Sequence, residues 1–214
     1  MIVSKMCFLW GRYPHFLMVV QGLAMDRLKE KILTDGYVIG SEILKVDSFL
    51  NHQIDVELTL EVGKEFARLF KDSGATKILT VETSGIPAAY ATALAMGNLP
   101  LVFAKKTVPS TMTDNTYMAP VKSFTKGTLS AIRVAADYLK KEDKVLIIDD
   151  FLATGQASLG LLDLVRQAGA KCVGIGTVIE KEWQGGHRRL EELGYRVESL
   201  AIITSIEDGV VKFK

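Results

Sequence analysis

The segment from Val145 to Ala157 constrains the fold of this chain more than any other part of the sequence. In order it contains four apolar residues, two acids and a small-residue turn: Val145-Leu146-Ile147-Ile148, Asp149-Asp150, then Ala153-Thr154-Gly155 before Gln156 and Ala157. An unbroken apolar run is typical of a strand buried on both faces of a parallel sheet. The segment therefore predicts a strand, a turn and a helix, with the acidic pair at the carboxyl end of the strand.

Strand-like and helix-like patterns alternate along the rest of the chain. Helices are predicted over 55–71 and 86–96 and after Gly155, and strands over 78–81, 100–104 and 172–179. Such alternation predicts an α/β fold in which a parallel sheet is flanked by helices. The segment after Met25 and the stretch Tyr195–Lys214, with its Asp208-Gly209 turn signal, are expected to be smaller additions at the edges.

Composition narrows the class of protein. The 214 residues fit a single domain, and a formal net charge of +1 provides no basic field that would attract nucleic acid. The two cysteines, Cys7 and Cys172, are far apart in the sequence and form no CxxC motif. Neither a zinc site nor a disulfide framework is therefore supported, and no protein-held metal is predicted. A reduced protein of the cytoplasm is the expected class.

Residues 1–24 differ in character from the rest. They contain no acidic residue, and Gly11–His15 divides their apolar residues into two runs shorter than the roughly 18–20 residues that cross a bilayer. Met25 stands directly before a polar segment that begins like a surface helix. We expect residues 1–24 to be an upstream read-in or extension outside the fold, and 25–214 to form one domain without a membrane span. A signal peptide, and with it a secreted or tethered protein, is the alternative reading of residues 1–24.

The acidic pair and the turn that follows suit one kind of ligand. Two adjacent carboxylates can accept hydrogen bonds from the vicinal hydroxyls of a ribose. The small residues of the turn let backbone N–H groups close around a phosphate, and the next helix adds its N-terminal N–H groups and dipole. The sequence has neither a P-loop nor a dinucleotide-binding fingerprint. We therefore predict a site for a phosphorylated sugar.

This run resembles the phosphoribosyl pyrophosphate signature of the type I phosphoribosyltransferases. The resemblance implies that Asp149 and Asp150 are catalytic and that the phosphate-binding residues are Ala153, Thr154, Gly155, Gln156 and Ala157. Two residues depart from the family pattern. Ala157 replaces a hydroxyl that the family often has, and Ala153 replaces the Asp that helps hypoxanthine-guanine enzymes to protonate the purine. The second change argues against that subgroup and leaves the protonating group unassigned.

Two further segments match places where the family binds pyrophosphate. Thr83-Ser84-Gly85 ends a predicted strand, where the family keeps a short pyrophosphate loop. Lys105-Lys106 begins the segment 105–122, which lacks any periodicity and contains two prolines. The resemblance implies a mobile loop over the reacting centre, with one of the lysines neutralising pyrophosphate. Thr-Ser-Gly in an ordinary turn, and a solvated lysine pair, are the structural alternatives.

The purine site is implied by two other segments. Lys181 and Trp183 follow a strand at the place where the family has a donor to the purine 6-oxo group and an aromatic ring that stacks on the base. The segment Glu42–Asp55 is similar to the N-terminal hood of bacterial xanthine phosphoribosyltransferases, in which the residues matching Leu44 and Asn51 contact the base. The structural alternatives are that Trp183 only covers part of the hydrophobic core and that Asn51 is a helix cap or turn residue.

The resemblance as a whole implies an enzyme of purine salvage. It would transfer 5-phosphoribose from phosphoribosyl pyrophosphate to N9 of xanthine, with Mg²⁺ arriving on the substrate, as a cytoplasmic homodimer with a small hood formed by the N-terminal segment and the C-terminal edge. One alternative is the same reaction on guanine or hypoxanthine. Another is a regulatory protein of the same fold that senses purine or phosphoribosyl pyrophosphate, although the chain has no dense basic stripe for nucleic acid.

Overall fold

The computed structural model describes residues 26–40, 42–107, 115–122 and 129–214. The strands are β1 (Tyr37–Ile39), β2 (Ile43–Lys45), β3 (Lys77–Val81), β4 (Leu101–Ala104), β5 (Thr116–Lys122), β6 (Leu129–Ala135), β7 (Lys144–Leu152), β8 (Lys171–Lys181), β9 (Val197–Glu207) and β10 (Val210–Phe213). The α-helices are α1 (residues 26–35), α2 (Val56–Leu69), α3 (Ile86–Ala95), α4 (Gln156–Gln167) and α5 (Gly186–Glu192), with a π-helical turn at Asp47–Asn51 and a 3₁₀ turn at Glu182–Gln184. The predicted extension over 1–24 and the start at Met25 lie outside the described residues and stay predictions.

A six-stranded sheet forms the centre of the molecule, in the order β10-β9-β8-β7-β3-β4. All of its neighbours pair in parallel except β10, which turns back antiparallel on β9 through Asp208 and Gly209. The predicted α/β fold with a mostly parallel sheet is therefore confirmed. The carboxyl ends of β3, β7 and β8 meet at one edge of the sheet, where open α/β folds bind ligands.

Helices cover both faces of the sheet. Alternate residues of β7 enter two separate cores, since Leu146 and Ile148 pack with α2 and α3 whereas Val145 and Ile147 pack with α4. All four side chains are fully buried, which explains why the sequence has an unbroken apolar run here. The sheet consequently holds the end of β7 in a fixed position.

Helix α2 forms as its apolar periodicity predicts. The Asp55 carboxylate accepts a hydrogen bond from the Leu58 N–H at 3.0 Å and caps the first turn. Val62 and Phe66, four residues apart, are buried against the sheet. The helix thus joins the N-terminal part of the chain to the central sheet.

The hood, comprising residues 26–40 and 42–55, packs on the same core. It contains α1, the β1–β2 hairpin and the π-helical turn, and its buried residues Leu28, Leu44 and Phe49 share one cluster with Val178 and Leu200 of the sheet. The β10 strand at the C-terminal edge lies beside it, because the Lys29 ammonium donates to the Lys214 carbonyl oxygen. The hood is therefore part of one continuous core rather than a separate unit.

Two predictions about local structure were wrong. Residues 105–122 are not irregular throughout, since β5 pairs with β6 from Thr116↔Ala135 to Lys122↔Leu129, and only 108–114 of this stretch lie outside the described residues. Pro120 favoured a loop in the prediction because proline is rare inside sheets. In a two-stranded ribbon each strand has a free edge, and a proline can be accommodated there. The C-terminal stretch contains β9, an inner strand of the main sheet, and only β10 is an edge addition.

The acidic pair lies near the carboxyl end of its strand, as the sequence predicts. Strand β7 continues through Asp149 and Asp150 to Leu152, with Asp149 opposite Thr177 and Phe151 opposite Ile179 on β8. Strand pairing with β8 thus holds the backbone that carries the two carboxylates. Within the described ranges, no helix is long and apolar enough to cross a membrane.

Candidate active site

The acidic pair lies at the ligand-binding edge of the sheet in an environment that opposes its negative charge. Asp149 is 3% exposed, and its Oδ1 accepts the Asp150 N–H at 3.0 Å. Burial raises the pKa of Asp149 well above the ordinary aspartate range, and the charge of Asp150 raises it further. Burial also raises the pKa of Asp150. Hydrogen-bond donors or cations at this edge would therefore stabilise the ionised pair.

The loop after β3 lies directly against this pair. A Cβ on Gly85 would lie 2.7 Å from Asp149 Oδ1 and 2.3 Å from Thr80 Oγ1, so no side chain fits at this position. Within the loop Thr83 is exposed, Ser84 is half-buried and the Glu82–Thr83 peptide bond is cis. The structure thus brings the predicted pyrophosphate loop and the predicted sugar-binding carboxylates into one site.

The two predicted lysines have different surroundings. The Lys106 N–H donates to the Glu82 carboxylate at 2.5 Å, and the charge of Lys106 lowers the pKa of both aspartates against the effect of burial. Lys105 instead pairs its backbone with Arg133, and its ammonium lies 5.8 Å from the centre of the Phe103 ring. Lys106 is therefore the lysine whose field reaches the acidic pair.

The backbone of the predicted phosphate loop packs against Gly186, a residue that the sequence analysis did not single out. Gly155 precedes α4 with a φ of 80°, a left-handed conformation that favours glycine. Gly186, the first residue of α5, donates its N–H to the Ala153 carbonyl oxygen at 3.0 Å. A Cβ on Gly186 would lie 2.4 Å from that oxygen and 2.7 Å from the Gly155 nitrogen. The only sequence signal was the Gly185-Gly186 pair after a strand.

The backbone of this loop can bind an anion. The first N–H groups of α4, including those of Gln156 and Ala157, have no partner within the helix and point out of its N-terminus. Together with the helix dipole they favour negative charge, and the absence of large side chains at Ala153 and Ala157 leaves the backbone accessible. Thr154, half-buried, adds a hydroxyl beside this N-terminus.

One of the predicted purine residues, Lys181, lies where the hood meets β8. The Lys181 ammonium donates to the Glu42 carbonyl oxygen at 2.6 Å and lies 5.7 Å from the centre of the Phe151 ring. Burial lowers the pKa of Lys181. Leu44 is buried in the hood, close to Glu42 in the chain. Phe151 is a second residue that the sequence analysis missed, although its place directly after the acidic pair is a usable signal.

Asn51 and Trp183 complete the set of predicted purine residues. The side-chain oxygen of Asn51 is buried, and no other described residue forms a hydrogen bond with it. Buried polar atoms normally have partners, so this amide favours a polar ligand. Trp183 is 39% exposed on the 3₁₀ turn after Lys181, and the ring that lies beneath the Lys181 ammonium is that of Phe151.

We expect Asp149→Asn to stabilise the ligand-free protein while impairing its activity. The raised pKa of Asp149 means that its ionised form opposes folding at neutral pH, and the isosteric amide removes this cost while its oxygen still accepts the Asp150 N–H. The free energy of unfolding at pH 7 should rise by about 1 kcal/mol. Denaturant titrations measure it.

The pH dependence provides the check on that explanation. A carboxyl whose pKa is raised by folding contributes full stability at pH values below its unfolded pKa and loses it as the pH rises through the folded pKa. The stability advantage of the Asp149→Asn variant over the wild type should therefore shrink as the pH falls from the raised pKa of Asp149 to the ordinary aspartate range, and it should be absent below that range. An advantage of equal size at all pH values would contradict the assigned cause.

Comparison with known proteins places this chain in a family. A family model described as a phosphoribosyl transferase domain matches residues 56–214. A xanthine phosphoribosyltransferase from Bacillus licheniformis is 57% identical over 189 residues, which cover 88% of this chain and 97% of that protein. A protein of the same name from Clostridium novyi is 54% identical over 190 residues, which cover 89% of this chain and 100% of that protein.

Solved structures support the fold. An adenine phosphoribosyltransferase from Rhodothermus marinus superimposes with a TM-score of 0.67 at 21% identity and covers 85% of this chain and 99% of its own. One from Trypanosoma brucei superimposes with a TM-score of 0.68 at 17% identity and covers 82% of this chain and 78% of its own. At such identities these structures bear on the fold alone. With the family model and the bacterial relatives, they lead to one conclusion: the chain belongs to the type I phosphoribosyltransferase family.

Proposed function

We propose that this protein transfers 5-phosphoribose from phosphoribosyl pyrophosphate to N9 of xanthine, yielding xanthosine monophosphate and pyrophosphate in purine salvage. The observation that carries the proposal is the contact between the acidic pair and the loop at Gly85, beside the anion-binding start of α4. The acidic pair matches a ribose diol, the loop at Gly85 matches a pyrophosphate, and the start of α4 matches a 5-phosphate. Relatives named xanthine phosphoribosyltransferase at 53–57% identity support the choice of base.

The sugar half of the mechanism follows from charge. As the bond from C1 of the ribose to pyrophosphate breaks, positive charge develops on the sugar, and the new bond from C1 to N9 of the purine forms. Asp149 and Asp150 accept hydrogen bonds from the sugar hydroxyls and stabilise that charge at short range in a partly buried site. The N–H groups at the start of α4 hold the 5-phosphate, so the reacting carbon is fixed between its two partners.

The pyrophosphate half uses the other loop. Thr83 and Ser84 offer hydroxyl and backbone donors, and the Lys106 ammonium opposes the charge of the leaving group. Lys105 belongs to the predicted set as well, but its cation–π contact with Phe103 directs the ammonium elsewhere. A cover for the reacting centre was predicted over 105–122; residues 108–114 of that segment lie outside the described residues, and the cover stays a prediction.

A magnesium ion fits the donor chemistry of this edge. The described residues provide carboxylates but no cluster of three or more metal-ligating side chains. Mg²⁺ retains several waters and is commonly bound by one or two carboxylates with substrate phosphates. We therefore propose that Mg²⁺ would enter with phosphoribosyl pyrophosphate, that it would supply positive charge to the pyrophosphate, and that the half-buried Asp150 is the protein group that could hold it.

The base half depends on the Asn51 amide and the Lys181 ammonium. Xanthine presents an N–H next to its 2-oxo group, and an amide offers the matching acceptor and donor side by side. Lys181 donates to the 6-oxo group, which excludes the amino group of adenine. Phe151 and Trp183 provide aromatic faces, and Leu44 closes the apolar side from the hood.

Asp150→Asn should lower turnover by at least about a hundredfold while the fold survives. The change removes one negative charge from the position where the sugar becomes positive, but it keeps the shape and strand pairing of the side chain. Steady-state rates with xanthine, Mg²⁺ and phosphoribosyl pyrophosphate measure the loss, and circular dichroism checks the fold. Unchanged turnover would show that the acidic pair is only structural.

Asn51→Asp should shift base preference from xanthine towards guanine. A carboxylate can accept from the N1–H and the 2-amino group of guanine, but it repels the 2-oxo group of xanthine. Hydrogen-bond mismatches in a buried polar site discriminate strongly, so we expect the ratio of kcat/KM for xanthine to that for guanine to fall by about a hundredfold. Assays with xanthine, guanine, hypoxanthine and adenine measure the ratio.

A matched control for this experiment is Gln53→Ala. Gln53 is exposed just after the π-helical turn, so its removal should leave the ratio unchanged. Preference of the wild type for guanine would remove the assigned role of Asn51. If the wild type forms no nucleotide from any of the four bases, the proposal that it is a phosphoribosyltransferase enzyme is wrong.

We also propose a cytoplasmic homodimer. Tyr90 and Leu94 on α3 and Phe103 on the outer strand β4 are exposed apolar residues on neighbouring elements, which supports an interface on this side of the sheet. The substrate and the free thiol of Cys172 agree with a reducing compartment. Sedimentation should give twice the mass of the chain, and Leu94→Glu should shift the protein towards monomer. A monomeric wild type would contradict the proposal.

A further inference from the structure

A hydrogen-bonded pair, the buried Glu180 and the half-buried His187, lies next to the phosphate loop and has no part in the proposed chemistry. Glu180, near the end of β8, is 2% exposed, and its Oε2 lies 2.7 Å from Nδ1 of His187. The other ring nitrogen of His187 lies 3.4 Å from the Glu191 carboxylate, one turn further along α5. Because a carboxylate only accepts hydrogen bonds, the imidazole donates from Nδ1 to Glu180.

The Glu180–His187 pair connects β8 to the start of α5 beside the phosphate loop. Glu180 lies opposite Leu152 in the register of β7 and β8, so it is beside the residue where the phosphate loop begins. His187 directly follows Gly186, whose N–H donates to the Ala153 carbonyl oxygen. The hydrogen bond from His187 to Glu180 therefore anchors the first turn of α5 to the strand next to the loop.

Gly186 can hold the loop only within a narrow range of positions. Its Cα lies 3.4 Å from the site of a Cβ on Gly155, and a Cβ of its own would overlap the loop backbone. A small displacement of the first turn of α5 would therefore lengthen the hydrogen bond to Ala153 and loosen the loop that points N–H groups at the phosphate. The orientation of those N–H groups is thus coupled to the place where His187 is held.

General packing does not account for a hydrogen-bonded polar pair at this position. Leu190 already buries α5 in the core with Leu152 and Val197. A buried carboxylate costs free energy unless its partners are well placed, and apolar residues of similar size often stabilise a fold as well. What a directional hydrogen bond adds is a fixed position for the turn that carries Gly186.

We infer that Glu180 and His187 are positioning residues that set the affinity for the 5-phosphate of phosphoribosyl pyrophosphate by holding Gly186 against the phosphate loop. The inference rests on the proposed function, because that function assigns the loop to the 5-phosphate. It adds two residues, neither of which touches substrate, and it limits their effect to one of the two substrates.

His187→Ala tests the inference. It should raise the Kd for Mg²⁺-phosphoribosyl pyrophosphate, measured by calorimetry without purine, by about tenfold, since the loop loses the support of one charge-assisted hydrogen bond. In the assay the KM for phosphoribosyl pyrophosphate should rise similarly, whereas the KM for xanthine and kcat should stay within about twofold.

Rescue by a conservative variant separates positioning from bulk. His187→Asn places an amide N–H2 near the position of Nδ1 and should restore most of the affinity, whereas His187→Ala does not. Glu180→Gln, which keeps an acceptor of the same shape, should weaken binding less than His187→Ala. Arg188→Ala changes an exposed neighbour on the same helix and should match the wild type.

Several outcomes would overturn the inference. One is equal loss for both substrates, another is a His187→Asn variant that binds no better than His187→Ala, and a third is unchanged binding in a folded His187→Ala variant. If His187→Ala does not fold, His187→Asn and Glu180→Gln still decide, because a tenfold loss of affinity in both conservative variants contradicts positioning. Binding without purine separates this test from the identity of the base, since a wild type that binds phosphoribosyl pyrophosphate but converts no xanthine refutes only the proposed reaction.

Discussion

The position of Gly85 against Asp149 is the constraint on which the rest of the site depends. A Cβ on Gly85 would lie 2.7 Å from the carboxylate oxygen, so the loop after β3 and the end of β7 can meet only because this residue has no side chain. Adjacent parallel strands bring the two loops to the same edge, and burial of both strands in apolar cores fixes the distance between them. An acidic pair and an anion-binding loop, which attract opposite charges, can then hold different parts of one sugar phosphate.

Much of this arrangement could be predicted from local sequence. The apolar run 145–148 predicts a doubly buried strand, and the periodicity of α2 predicts a helix whose buried face is the one observed. What local patterns cannot supply is the contact between distant segments. Gly186 is far from Gly155 in the chain, and its importance follows from a contact that only the fold reveals: its Cα lies 3.4 Å from where a Cβ on Gly155 would be. The strand β9 was underestimated for a similar reason, because its Asp-Gly turn indicates a hairpin locally whereas pairing with β8 is long-range.

The same limit applies to the lysine pair. Lys105 and Lys106 are equivalent in sequence, and alternation along an extended chain sends their side chains to opposite sides. The backbone of Lys105 pairs with Arg133, which fixes the direction of the Lys105 side chain. The backbone N–H of Lys106 donates to Glu82 and so ties Lys106 to the start of the pyrophosphate loop. A residue-type argument therefore finds the pair, and the backbone hydrogen bonds distinguish its members.

The site also concentrates interactions that oppose folding. The proposed site includes two aspartates with raised pKa values, the desolvated Lys181, and a buried amide oxygen of Asn51 that has no partner among the described residues. Each is unfavourable without a ligand, and each has a complementary group in phosphoribosyl pyrophosphate, Mg²⁺ or an oxopurine. Because substrates relieve these costs only when bound in one arrangement, part of their binding free energy depends on orientation. The hydrophobic cores on both faces of the sheet, and directional ties such as Glu180 to His187, keep the unfavourable groups in place until the substrates arrive.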